Sequence, residues 1–300
     1  MIRFQLWLPM AALAMAGLLF GCRMERPDPP SSASAILHKH PADFLNQLTA
    51  LEALAAAEVN SPIQPWLEKL TRQSQRLVPL LKSAHSDSEK VALLNTWVFD
   101  SLALVPISDS TDLIASLPSR VLADRKGSCL GLTLVYLALG QALDLPLHPV
   151  FLPGHIFVRY RSGAYAFNIE TLKRGLARSD SFYRETFSLK SRIWYDLKDA
   201  DPKQALAALV FNLGNTHRSR GEWRFALAEY RLVEEMIPGY PEAQVNQGAA
   251  LLALGDRDAA EVKLLAAWMG DSQSPPARQN LSAIYREAGD SARAALFSGN

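Results

Sequence analysis

The chain has 300 residues, and 31 Lys and Arg against 30 Asp and Glu leave a net charge of +1. So balanced a chain carries no basic field of the kind that nucleic acid or a polyanionic substrate requires. Its 49% hydrophobic content is ample for packed cores, and its length suits about two domains. Only two cysteines occur, Cys22 and Cys129, too few for a disulfide framework.

Residues 1–21 carry one charge, Arg3, followed by an apolar run over 4–20 that ends in Gly21 before Cys22. A positive start, a short apolar stretch and a small residue at the end are the signal-peptide pattern, and the run is marginal for a bilayer span. Leu19-Phe20-Gly21-Cys22 resembles a bacterial lipobox, which implies that Cys22 is lipidated and begins the mature protein. The same resemblance, with Arg23 in place of an aspartate after the cysteine, implies a lipid anchor in the outer membrane facing the periplasm. Residues 22–40 hold Pro27, Pro29, Pro30 and small residues over 31–35, a composition that predicts a flexible or semi-extended tether.

From residue 41 the pattern turns helical. Apolar residues recur at helical spacing through Phe44, Leu48 and Leu51, through Leu67, Leu70, Leu77 and Leu81, and through Val91, Leu94, Val98 and Leu102, predicting three helices. Residues 116–128, with Pro118 and Gly127, read as a loop, and the apolar run over 130–143 reads as a helix ended by Asp144 and Pro146. Cys129 thereby falls at a helix start, where unpaired N–H groups and the helix dipole favour thiolate. The plainer alternative is a small buried apolar residue, the usual fate of a lone cysteine.

After Pro146 the pattern becomes strand-like. Residues 147–152 suit one strand, and 156–161 and 164–170 flank Ser162-Gly163, which reads as a two-residue hairpin turn. In that register Arg161 faces Ala164 and His155 lies directly opposite Glu170. One face of the hairpin then carries Ile156, Val158, Tyr160, Tyr165, Phe167 and Ile169, and the other His155, Phe157, Arg159, Asn168 and Glu170. A directly opposed pair is close enough for a carboxylate to hold an imidazole, although an ordinary solvated His–Glu contact would look the same.

A thiol at a helix start with a histidine and a carboxylate on a later hairpin is what nucleophilic catalysis by cysteine needs. Gly127-Ser128-Cys129-Leu130-Gly131-Leu132, Pro153-Gly154-His155-Ile156-Phe157-Val158-Arg159 and Phe167-Asn168-Ile169-Glu170-Thr171, followed by Gly175, resemble the transglutaminase-like superfamily and within it the bacterial SirB-type group. The resemblance implies Cys129 as nucleophile, His155 as general base and acid, and Glu170 as orienting carboxylate. The family's third residue is most often Asp; Asn168, on the same face, is the other candidate for that role. By analogy the backbone N–H of Cys129 is one oxyanion donor. His148 reads as a structural or surface histidine, and no metal-ligand spacing or cofactor motif is present.

Residues 201–300 repeat. Asn212, Asn246 and Asn280, then Gly221, Gly255 and Gly289, then Ala226, Ala260 and Ala294 each recur every 34 residues, and Pro241 and Pro275 keep the same interval. That period resembles three tetratricopeptide repeats, helix–turn–helix units that stack into a superhelix. The expected architecture is therefore α+β: a signal peptide over 1–21, a lipidated tether over 22–40, a transglutaminase-like, papain-like domain over 41–200 with N-terminal helices and a small antiparallel sheet, and the all-α repeats over 201–300. The expected function is envelope-anchored acyl transfer by a cysteine nucleophile, as a protease, amidase or transamidase, with no cofactor and with a protein or peptide on the concave face of the repeats. The alternative is an inactive transglutaminase-like scaffold that binds protein.

Overall fold

A computed structural model describes residues 29–39, 43–108 and 112–298. The expected signal segment, Cys22 with its lipid, and the start of the tether lie outside the described residues. The end of that tether is ordered. Residues 34–39 form helix α1 (Ser34–Lys39), Ala33 is fully buried, and Ser31 and Ser32 are clasped by Glu229. Ser31 Oγ, Ser32 N–H and Ser32 Oγ all donate to this one carboxylate, at 2.6, 2.8 and 2.6 Å. Three donors offset the cost of placing Glu229, 1% exposed, inside the protein.

Helix α2 (Phe44–Glu58) is capped by Asp43, whose side chain accepts from Asn46 N–H. The helical run expected through Leu81 is broken: α3 (Trp66–Ser74) passes through a 3₁₀ turn (Gln75–Leu77) into α4 (Val78–Ser83), where Pro79 suits the start of a new helix. Helix α5 (Asp87–Thr96) continues as a π-helical turn (Trp97–Ser101). Strand β1 (Val105–Pro106) pairs in parallel with β2 (Lys126–Gly127). The segment expected as loop over 116–128 instead holds helix α6 (Pro118–Asp124), started by Pro118 and closed by Arg125 at positive φ.

Helix α7 (Cys129–Leu143) is the central element, with an unbroken buried stretch from Leu130 to Gly140. Apolar on every side, it can only be an interior helix. Each large side chain that it buries stabilises the fold by about 1.5–3 kcal/mol. It is covered by α3 and α6, by strands β3 (Leu147–Leu152) and β4 (His155–Ser162), and by α9 (Pro202–Ser219). Strands β3, β4, β5 (Tyr165–Glu170) and β6 (Leu176–Ala177) form one antiparallel sheet in that order. Helix α8 (Asp180–Thr186), capped by Ser179, follows.

From residue 202 three antiparallel helix pairs stack in sequence: α9 with α10 (Trp223–Met236), α11 (Pro241–Leu254) with α12 (Arg257–Gly270), and α13 (Pro275–Glu287) with α14 (Ser291–Phe297). Gly221, Gly255 and Gly289 all have positive φ between the helices of their pairs, which is the physical reason for glycine at that interval. One apolar core runs across the expected boundary at 200: Leu51, Leu137, Val150, Leu209, Val233 and Ala243 belong to a single buried cluster. Among the described residues no helix is long and apolar enough to cross a membrane.

Within α7, Gly131 and Gly140 both sit against neighbouring elements, and Gly131 has the tighter fit. A Cβ there would collide with the carbonyl oxygen of Ala115 and with Val121. Gly131→Ala should therefore destabilise the protein by about 1–3 kcal/mol, the usual cost of overpacking. Denaturant unfolding of the two proteins, compared at equal m-value, checks this.

Candidate active site

Three elements meet at the candidate site. Ser128 caps α7, its Oγ accepting from Gly131 N–H at 3.2 Å and contacting Ser116 Oγ at 3.0 Å, so Cys129 is the first residue of the helix proper. Its backbone N–H is among those that a helix leaves without an internal carbonyl. The cysteine is partly exposed, with α7 buried behind it from Leu130 to Gly140.

The hairpin carries His155 and Glu170 together, though not in the expected register. The turn is Gly163-Ala164, one residue later than expected, because Ser162 pairs with Tyr165 and Gly163 takes the positive φ that the first position of a II′ turn needs. The pairing moves by two residues, which preserves both faces. His155 pairs with Leu152 on β3, while Arg159 pairs with Asn168 and Val158 with Ile169 on β5. Glu170 therefore reaches His155 along a diagonal of the sheet, a span of roughly 7–8 Å between backbones. Its longer side chain covers that span: His155 Nε2 and Glu170 Oε2 are 3.0 Å apart. The length of the glutamate side chain supplies the reach.

The His155 end of the hairpin is shielded from solvent, whereas Arg161 and Ala166 near the turn are exposed. Phe157 is fully buried and stacks on Tyr183 of α8 at a ring separation of 4.2 Å. The side chains of His155 and Glu170 are only 9% and 8% exposed. The Tyr183 hydroxyl donates to Glu170 Oε2 at 2.9 Å and Leu172 N–H donates to Oε1 at 3.0 Å. Burial alone would push the Glu170 carboxyl up; the bonds from His155, Leu172 and Tyr183 outweigh it and hold the group below the usual range. Burial would likewise favour a neutral His155, but hydrogen bonds to Cys129 and Glu170 outweigh it and the ring is pushed up to about 10. With Nε2 on Glu170, Nδ1 is the nitrogen left for the sulfur. Phe187 lies parallel to the imidazole at 6.0 Å and fixes its plane.

Asn168 is committed elsewhere. Its Oδ1 accepts from Arg159 Nε at 2.6 Å, and its Nδ2 donates to Arg178 O and Asp180 Oδ1. Arg159, 2% exposed, also bonds Leu197 O, Asp199 and Asp180, so its buried charge is fully met. Glu170, not Asn168, is therefore the side chain bonded to the imidazole. His148 lies towards the other end of β3, opposite Arg159. Among the described residues no three His, Cys, Asp or Glu side chains gather as a metal site requires.

Sequence reasoning missed Tyr183 and Phe187, although Ser179 ahead of a short amphipathic run is a helix-start signal that would have placed both. It also missed Tyr240, which ends the turn before α11 and packs on Phe151. Burial, reinforced by Glu242 and Cys129, pushes its hydroxyl well above the usual range. No sequence signal ties that residue to the site.

The pair sets a pH window. A raised His155 contributes stability fully below its ordinary value of 6.5 and loses it as pH rises towards about 10. A lowered Glu170 contributes above its ordinary 4.5 and loses it as pH falls through its folded value. The stability difference between wild type and Glu170→Gln should thus be greatest between those ordinary values and shrink as the solution is made alkaline, as thermal unfolding at several pH values will show. In NMR titration the His155 ring should titrate lower in Glu170→Gln, and Glu170→Asp should behave like the amide because the shorter carboxylate cannot span the diagonal.

A sequence profile of the transglutaminase-like superfamily matches residues 61–209. No curated protein matches the chain. Among solved structures the fold is similar to that of menin, whose crystal structure is described as revealing the binding site for Mixed Lineage Leukemia (MLL) protein; the TM-score is 0.61 and the identity 14% over 91% of this chain and 70% of that one. At that identity the likeness is one of fold. The profile takes in the helix that bears Cys129, the hairpin that bears His155 and Glu170, and the sheet that holds them together, and residues 61–209 are accordingly a domain of the transglutaminase-like superfamily.

Proposed function

We propose that the protein is a cysteine-nucleophile acyl transfer enzyme, acting on an amide by hydrolysis or transamidation. The observation that carries this reading is the imidazole itself: it is bonded to Glu170 at 3.0 Å, lies parallel to Phe187, and has its charged form favoured by Cys129 as well as by Glu170. The sulfur of a Cys129 thiolate attacks the substrate carbonyl carbon, and charge develops on the oxygen beside the Cys129 N–H. The C–N bond breaks as the His155 imidazolium gives its proton to the departing amine, leaving a thioester. Water or a second amine then attacks that thioester, His155 takes the proton released, and the thiolate leaves. Glu170 keeps the ring in one orientation throughout.

The same proposal places the protein in a bacterial envelope, lipidated at Cys22, of the SirB-type group. Support comes from Leu19-Phe20-Gly21-Cys22 and from the Gly-Ser-Cys and Pro-Gly-His motifs. It takes the three C-terminal helix pairs as tetratricopeptide repeats that recruit a protein or peptide, supported by the 34-residue interval and the glycine turns. A second reading, a binding scaffold without turnover, is favoured by the likeness in fold to menin, a protein described by its binding site for MLL protein.

The two readings part at the thiol. For an enzyme, Cys129 should react with iodoacetamide at neutral pH more than about tenfold faster than free cysteine, and His155→Ala should abolish the advantage. In intact envelopes a thiol-directed probe should label wild type and not Cys129→Ser. Equal alkylation of wild type and His155→Ala would instead leave the scaffold, for which Cys129→Ala keeps full capture of its partner.

A further inference from the structure

Helix α11 of the second C-terminal pair reaches into the hairpin that carries His155. Its second residue, Glu242, accepts a hydrogen bond from Gly154 N–H through Oε1 at 3.1 Å, and its Oε2 accepts from the Tyr195 hydroxyl. Gly154 has φ of 65°, follows Pro153 in the turn between β3 and β4, and immediately precedes His155. One carboxylate therefore joins the turn that delivers the histidine, the segment after the 3₁₀ turn Leu189–Ser191, and the start of α11.

That intervening segment is itself fastened to the C-terminal helices. Trp194 donates from Nε1 to Pro238 O at 3.1 Å and from its backbone N–H to Gly270 O at 3.1 Å. Arg192 pairs with Asp271 at 2.5 Å, and Ser272 Oγ donates to Ser191 O at 2.9 Å. Tyr240, two residues before Glu242, packs on Phe151 near the end of β3 at a ring separation of 5.9 Å. Glu242 thus stands on a braced support. Burial pushes its carboxyl up to about 7, so the chain keeps the group where its charge is disfavoured.

The β3–β4 ladder ends at Leu152 and His155, which leaves the two-residue turn with no strand partner beyond it. The histidine ring must meet sulfur on one nitrogen and carboxylate on the other, and a misplacement of about 1 Å at such a site can cost a hundredfold in rate. We propose that Glu242 is a positioning residue: by holding Gly154 from the C-terminal helices it aims His155 at Cys129. This inference rests on the reading of Cys129 and His155 as a reacting pair. It makes the second helix pair part of the site's framework rather than a separate adaptor.

The test is a double-mutant cycle on the full chain, read as the iodoacetamide alkylation rate of the Cys129 peptide by mass spectrometry. Glu242→Ala should slow alkylation by about tenfold, inside the range that misplacement can produce. In a His155→Ala background the same change should do nothing, because the residue acts through the imidazole. Glu242→Gln, whose amide oxygen still accepts from Gly154, should keep most of the wild-type rate. Glu242→Met fills the same space without an acceptor and should repeat the alanine result even if the cavity left by alanine prevents folding. Wild-type rates in both Glu242→Ala and Glu242→Met would overturn the proposal, as would equal slowing with and without His155. Failure of the underlying pair is distinguishable: there His155→Ala alone would alkylate as fast as wild type.

Discussion

The site depends on a carboxylate that water scarcely reaches. Glu170 is held by an imidazole, a tyrosine hydroxyl and a backbone N–H, and these bonds together outweigh a burial that would otherwise neutralise it. Cys129 and that carboxylate together raise the histidine well above its ordinary range although it is buried as well. Each group makes the other's charge tolerable, and neither would survive alone in so dry a place. The aromatic cover of Tyr183 and Phe187 is part of the same arrangement, since it excludes solvent and fixes the ring plane.

Much of this was legible in the chain because it is local. The start of α7 could be read from Ser128 and the apolar run behind it, and the face that unites His155 with Glu170 follows from alternation along two strands. The register could not be read with the same ease. Ser162-Gly163 and Gly163-Ala164 are both acceptable two-residue turns by composition, and shifting between them preserves the faces while moving every partner by two. The relation of Glu170 to His155 therefore looked like a direct pair and is a diagonal one. Asn168 looked available because Arg178 and Asp180 lie beyond the sheet, and because Arg159 becomes its direct cross-strand partner only in the shifted register.

The segments misread as loop or tether have a common physical cause. Helix α6 is seven residues long and begins with proline, too short for periodicity to reveal. The ordered stretch over 31–39 is Ser- and Ala-rich, and by composition cannot bury much; it is held instead by a carboxylate almost two hundred residues away. The contacts between the C-terminal helices and the hairpin are equally remote in sequence, and they arise from a core that does not respect the boundary which the repeat spacing suggests.

The clasp at Ser31 and Ser32 has a mechanical consequence. Tension applied to the chain upstream of Ser31 is not passed first to α2 or to the helix that bears the cysteine, because it arrives at Glu229 on α10. That helix packs on α9 and α11, and α11 carries the residue that grips the histidine turn. A load on the N-terminal segment is thereby delivered through the C-terminal helices to the turn before His155, along a line of hydrogen bonds and packed helices rather than along the backbone.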